Sequence, residues 1–223
     1  QWTYFLGNIA NVKMLRYALE PDDARCLFRS GSATIGLCTA PAEMNGLVFY
    51  GSFLDDVVPD GATLNGAAYL DSSFGARVAG DEDSISIDTL DYSSDGTFTI
   101  AFWFTQTECI IPGQWQSLYA HSHYEDNWWD NSLNTTNANV HIWASCTDEG
   151  GHSTLGGTVV RVFMIDDTGQ RGVFDWSFNS AKSGGFVTNA WAHMVLSVTS
   201  SAVTLYLDGR PLGLLRIFGK NSI

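Results

Sequence analysis

Long apolar runs are missing from this chain, and so is any basic-then-apolar opening. Neither a bilayer-spanning helix nor a secretory leader is therefore predicted within it. Gln1 stands where an initiator methionine would, so a processed product or an excerpt of something longer is expected. Positive charge is scarce: 11 Lys and Arg face 24 Asp and Glu, a formal net charge of −13. With no Lys/Arg cluster to displace counterions from a phosphate backbone, nucleic acid is excluded as a partner. Sustained helical periodicity is lacking, and prolines number only five. Cysteine is limited to four residues, none in a zinc-knuckle or C-x-x-C spacing. Four cysteines allow three connectivities; the expectation is the sequence-local one, Cys26 with Cys38 and Cys109 with Cys146, in an oxidising, extracellular compartment.

What the chain has instead is 22 glycines, many Ser and Thr, and abundant β-branched and aromatic residues. These describe short strands joined by turns, and 223 residues suffice for one all-β domain with a sizeable core. Strands are predicted at 46–50 (GLVFY), 68–70, 84–88, 116–121, 140–144, 158–165 and 172–178, with turns at Asp60-Gly61, Asn65-Gly66 and Asp167-Thr168-Gly169. Residues 97–104 (TFTIAFWF) form the most apolar strand. Phe98, Ile100, Phe102 and Phe104 fall on one face and Thr99, Ala101 and Trp103 on the other, which predicts a central strand covered on both sides. Residues 191–209 (WAHMVLSVTSSAVTLYLDG) alternate Met194, Leu196, Val198 and then Val203, Leu205, Leu207 across a Ser-Ser-Ala break, the pattern of a hairpin. Asp208-Gly209 suits the positive φ of a tight turn, so a third pass should begin at Arg210-Pro211.

The opening stretch, residues 7–28, reads as a strand through Ile9, Val12 and Met14, then a short helix started by Glu20-Pro21-Asp22-Asp23. Proline stands early in that helix and acids sit near its positive end. The Trp-x-His hairpin with its Tyr-x-Asp-Gly ending, and the Phe-Thr-Ile-Ala-Phe-Trp strand after an Asp-rich turn, resemble laminin-G-like, concanavalin A-type jelly-roll domains. Residues 7–19 in turn resemble the closing strand of such domains: Gly7, Ile9, Val12, Ala18 and Leu19 match the pattern, with Lys13 and Met14 close to it. Ala10 and Asn11 stand where that strand usually carries an acidic pair. The resemblance implies an all-β, two-sheet antiparallel jelly-roll sandwich whose closing strand and short helix are displaced to the front of the chain. It also makes His193 a structural position.

The predicted organisation is thus a closing strand and short helix (1–28), a linker (29–45) and a sandwich body (46–223). The body ends soon after the hairpin, leaving an open edge or groove near it for which Ile9 to Met14 is the expected partner. Three arrangements fit: two tandem domains cut by the excerpt, closure in cis as a circular permutant, or donation of the strand to a neighbour. Donation is a heterologous contact that propagates head-to-tail into rings or filaments.

Chemistry is thinly represented. Glucanases of this fold class need two carboxylates across one cleft, about 5 to 9 Å apart according to mechanism, and the retaining ones place Glu-x-Asp-x-x-Glu on one strand. The motif is missing; Glu125, Asp126 and Asp130 come nearest, in a loop and at the wrong spacing. No nucleophile elbow is present either. A non-catalytic protein is expected. Asn134-Thr135-Thr136 is an N-glycosylation sequon in a long polar loop. Tyr124, Trp128 and Trp129 in that loop are the candidate stacking platform for a sugar, or else rings that cap the sandwich. His121 and His123 have the spacing of a metal pair without a third ligand. The resemblance, whose family often binds Ca²⁺ at a rim through turn carboxylates, makes Asp81, Glu82 and Asp83 the candidate Ca²⁺ ligands, weighed against a solvated acidic turn. The resulting expectation is a secreted, disulfide-bonded glycoprotein that polymerises with copies of itself by strand donation. The alternative is a lectin-like, glycan-binding adhesion module, Ca²⁺-dependent or not.

Overall fold

The structure is a computed structural model that describes residues 2–3, 5–29, 46–80, 82–88, 97–106, 115–121, 139–145, 158–165, 171–178, 190–199 and 202–216. Its elements are β1 (Trp2–Thr3), β2 (Gly7–Leu15), α1 (Pro21–Arg29), β3 (Leu47–Gly51), β4 (Ala62–Asn65), β5 (Tyr69–Asp71), β6 (Gly75–Val78) and β7 (Ser84–Ile87). They continue as β8 (Phe98–Gln106), β9 (Trp115–His121), β10 (Asn139–Ser145), β11 (Thr158–Ile165), β12 (Arg171–Phe178), β13 (Ala192–Val198), β14 (Ala202–Leu207) and β15 (Arg210–Arg216). The fold is all-β, with the two largely antiparallel sheets of a β-sandwich and one helix among the described residues.

Two compact units divide these strands. One holds a five-stranded sheet in the order β1-β9-β10-β11-β12, antiparallel except where β1 lies parallel to β9. Its inward positions alternate along each strand: Val140, Ile142 and Ala144 on β10 stand opposite Met164, Val162 and Val160 on β11. All but Met164 are buried, and period-2 geometry puts them on one face of the sheet.

The other unit holds an eight-stranded sheet, β15-β14-β13-β8-β2-β6-β5, with β3 also paired to β2, and the small ribbon β4-β7. Phe98, Ile100, Phe102 and Phe104 on β8 lie in register with Val198, Leu196, Met194 and Ala192 on β13, and all eight are buried. On the opposite face Thr99, Ala101 and Trp103 pair with Ser197, Val195 and His193. β8 is therefore central and covered on both faces, as its sequence predicts. The hairpin also forms as predicted: β13 and β14 pair from Met194↔Leu207 to Val198↔Val203. Asp208 (φ 49) and Gly209 (φ 69) make the turn into β15.

One expectation is overturned. The edge beside the hairpin is filled by β15, which pairs with β14 along its length. The Ile9 to Met14 strand docks instead on the far side of β8. The hairpin needs no outside strand because the Asp-Gly turn returns the chain's own C-terminal segment onto β14. The slot that does need one lies between β8 and β6/β3.

A close approach fixes that slot on its β6 side. Gly75 opens β6 with φ +83, and a Cβ there would meet the Ile9 carbonyl oxygen at 2.5 Å. Gly61 has a similar φ of +78, but its nearest neighbour would be 3.9 Å away. Both glycines spare a left-handed cost of about 1–2 kcal/mol for a residue with a Cβ. Gly75→Ala adds the clash, so urea unfolding should show it losing more stability than Gly61→Ala, by about 1–3 kcal/mol. Equal losses would mean that β2 does not approach Gly75 as described.

Candidate functional site

The candidate site is the slot that receives the N-terminal segment. β2 pairs antiparallel with β8 from Gly7↔Gln106 to Leu15↔Thr99. Its other side meets β6 at Gly7 to Ile9 and β3 at Val12 to Leu15. A strand at the front of the chain thus occupies a central position between strands that follow it by tens of residues. Of the predicted donor residues, Val12 and Met14 are buried and Ile9 is partly so.

The slot has a shape that Asn11 meets. Between Ala10↔Trp103 and Lys13↔Ala101 the register shifts, so Asn11 and Val12 together oppose Phe102. This is a β-bulge, and Asn11 takes the left-handed conformation there (φ 52). Asn tolerates that region better than most residues with a Cβ. Its amide donates to the Ser52 carbonyl at 2.9 Å, and the Tyr50 hydroxyl donates to Asn11 Oδ1 at 3.2 Å. Burial, followed by the Asp55 carboxylate, pushes the Tyr50 phenol pKa up, which keeps it a donor. Polarity and backbone geometry explain a residue that departs from the resembling strand.

Beyond β2 the chain crosses the polar-looking face of the sheet and is held there by hydroxyls. Thr99 Oγ1 accepts from the Leu19 amide at 3.1 Å and donates to the Tyr17 carbonyl at 2.7 Å. Ser197 Oγ donates to the Leu19 carbonyl at 3.0 Å. Thr99 and Ser197 are side by side on β8 and β13, and both are buried. They satisfy main-chain groups that would otherwise be desolvated without partners. α1 then places Ala24 and Leu27 into a cluster with Leu15, Leu19, Ala101, Val195 and Tyr206. Phe28 stacks on Trp103 at 5.7 Å and lies 6.2 Å from the His193 ring. Gly209 lets the helix close in, since a Cβ there would sit 3.0 Å from Arg25 Cα.

Three polar residues, Lys13 in the segment and His193 and Asp208 in the body, have surroundings that the sequence does not predict. Lys13 is 4% exposed, with Nζ 5.7 Å from the centre of the Tyr50 ring. Such a cation–π contact contributes about 0.5–2 kcal/mol. His193 is 2% exposed, 5.0 Å from the Trp103 ring, and its Nδ1 is buried without a hydrogen-bond partner. Burial, and secondarily the Lys13 charge, lower its pKa to about 3. Asp208 accepts the His193 amide on Oδ1 at 2.9 Å and returns its own amide to the His193 carbonyl at 2.8 Å. Burial raises the Asp208 carboxyl pKa, while the His193 amide and Arg210 pull it down. His193 in the Trp-x-His motif was legible as a structural position; its lack of a partner was not. Lys13, alternating with Val12 and Met14, reads as the polar face of its strand and carried no signal that this face is covered.

The other candidates lie elsewhere. Asp83 Oδ1 accepts the Ala67 amide at 2.7 Å and Oδ2 the Ala79 amide at 3.0 Å, so its carboxylate ties two turns together. Glu82 is exposed, and Asp81 lies outside the described residues. Among the described residues no group of three or more His, Cys, Asp or Glu is arranged to hold a metal ion. Tyr124, Trp128, Trp129, Asn134 and His123 lie outside the described residues, as do Cys38, Cys109 and Cys146; His121 ends β9. Cys26 on α1 is disulfide-bonded. Comparison of the chain with protein-family models, curated proteins and solved structures gives no match.

The hydroxyl contacts yield a direct test. Thr99→Val keeps the shape, removes the donor to the Tyr17 carbonyl and strands the Leu19 amide, at a cost of about 1–3 kcal/mol for the orphaned amide. Hydrogen exchange should show the Leu19 amide losing most of its protection in Thr99→Val. Retained protection would show that the segment is held by its apolar contacts alone.

Proposed function

We propose that this protein is a non-catalytic, extracellular structural subunit of laminin-G-like, jelly-roll character. It polymerises head-to-tail by lending its N-terminal segment to the slot of the next copy. The observation that carries this is the position of β2: a sequence-remote strand in the middle of a sheet, bordered on both sides by strands of the body. Withdrawn, it leaves two unpaired backbone edges and the buried faces of Met14 and Leu19 without their neighbours. Such a slot must be filled, by this chain or by another.

In the single chain the slot is filled in cis. The described strand pairings of β2 and the hydroxyl contacts of Tyr17 and Leu19 join residues before position 30 to residues after position 45. Exchange between copies therefore reproduces the same contacts at no cost in pairing, which is the physical basis of strand swapping. Linkage through residues 30–45 and the protein concentration decide which closure prevails. An oxidising compartment is supported by the disulfide-bonded Cys26. The sequon at Asn134 makes a covalent glycan part of the same proposal.

Assembly provides the test. Electron microscopy and light scattering of the native protein should show linear particles, and a chain lacking residues 1–28 should form none. Adding a synthetic peptide of residues 1–28 should restore a folded body to the truncated chain while leaving it unable to extend. A protein that stays a compact monomer across the accessible concentration range would sink the idea, as would polymers that persist without residues 1–28.

A further inference from the structure

We propose that His193 makes docking of the N-terminal segment acid-sensitive: the segment seals a neutral imidazole that must be uncovered before it can take a proton. His193 belongs to the body, on β13, with Trp103 of β8 beside it at 5.0 Å. Two residues of the segment complete the enclosure. Phe28 of α1 lies 6.2 Å from the imidazole, and Lys13 of β2 brings a positive charge to the same face. The enclosed Nδ1 has no acceptor. Protonation inside the docked state would create an imidazolium with an unsatisfied N–H, out of water and repelled by the Lys13 charge.

The other charges on the elements packed around His193 do not relieve this. β8 and β13 carry no Asp, Glu, Lys or Arg, and His193 is their one histidine. α1 carries Asp22, Asp23, Arg25 and Arg29, preceded by Glu20, and the hairpin turn is flanked by Asp208 and Arg210. Asp208 is engaged through the His193 main chain rather than its ring. Lys13 is the charge that acts on the imidazole, and it is repulsive to the protonated form.

The sign follows from linkage. Docked, His193 has its pKa lowered to about 3; undocked and hydrated, it would titrate near the ordinary value of about 6.5. Above that value neither state is protonated and docking is at full strength. As pH falls toward about 3, only the undocked state gains a proton, so docking weakens progressively. Between pH 7 and pH 5 the docking equilibrium should fall roughly 25-fold. Asp208, whose carboxyl pKa is raised by burial, works in the opposite direction. Gating of assembly between copies rests on the strand exchange proposed above; gating of docking is read on the single chain.

The experiment follows amide exchange at Val12 to Leu15 in the full chain, as protection factors corrected for the intrinsic pH dependence of exchange. In the natural sequence protection should drop about 25-fold from pH 7 to pH 5, and in His193→Phe it should stay level. His193→Gln serves as the second variant if the phenylalanine is not accommodated. An NMR titration of the natural protein needs no variant and should find the docked His193 ring silent from pH 7 to pH 4. Protection unchanged between pH 7 and 5 overturns the gate, as does a ring that titrates near pH 6.5 with the segment still docked. Light scattering at the same pH values separates the two proposals. Assembly that is absent even at pH 7 overturns strand exchange and leaves the gate to the exchange data. Assembly at pH 7 with protection that does not change with pH overturns the gate alone.

Discussion

The seating of β2 between β8 and the β6/β3 pair is the constraint on which the larger sheet depends. Removing an edge strand shortens a sheet, whereas removing a central one divides it. Among the described residues the four strands β15-β14-β13-β8 are joined by strand pairing to β6, β5 and β3 only through β2. Their apolar faces are already large, with Phe104, Ile100, Leu196 and Leu205 fully buried, so the two halves do not lack hydrophobic surface. What they lack without β2 is a shared hydrogen-bonding ladder, and apolar burial cannot replace one.

The same segment also determines what the second face of that sheet is for. Thr99, Ser197 and His193 would be unremarkable on a solvated strand surface. Covered by residues 16–28 they become buried polar groups, and two of them answer main-chain atoms of the covering chain. Sheet and cover are thus matched in polarity as well as in shape. Phe28 on Trp103 and Leu27 in the cluster around Val195 add apolar contact where no such pairing is needed.

Much of this architecture could be read from residue order. The two-fold alternation in 97–104 identified β8 as central, and the Asp208-Gly209 pair located the turn into β15. Pro21 after Glu20, with acids behind it, marked the start of α1. Strand pairing was less accessible. Alternation says which face a residue takes but not which strand lies beside it, so Ile9 to Met14 was matched to the hairpin rather than to β8. Short strands such as β4 and β6, four residues each, were missed because so few residues carry no reliable period. The bulge at Asn11 was visible only as a departure from a resembling pattern, because a positive φ is decided by the neighbours, here Ser52 and Tyr50. Buried Lys13 and the unpartnered Nδ1 of His193 belong to tertiary surroundings that no local window contains.

Polar matching bears on register more than on strength. Apolar contacts alone would tolerate a β2 shifted by two residues along the slot, since Val12 and Met14 would still face the core. A shift of one residue would instead turn Lys13 toward Ile100 and Phe102, and the pleat forbids that strongly. The two-residue slip is excluded by different groups. It would carry Tyr17 and Leu19 past Thr99 and Ser197, and move the left-handed Asn11 away from the Ser52 carbonyl. Each orphaned buried group would cost about 1–3 kcal/mol, and at least three would be orphaned together. That penalty is of the same order as the net stability of a domain of ordinary size. The hydroxyls and the bulge therefore select a single register for the strand, whichever copy of the chain supplies it.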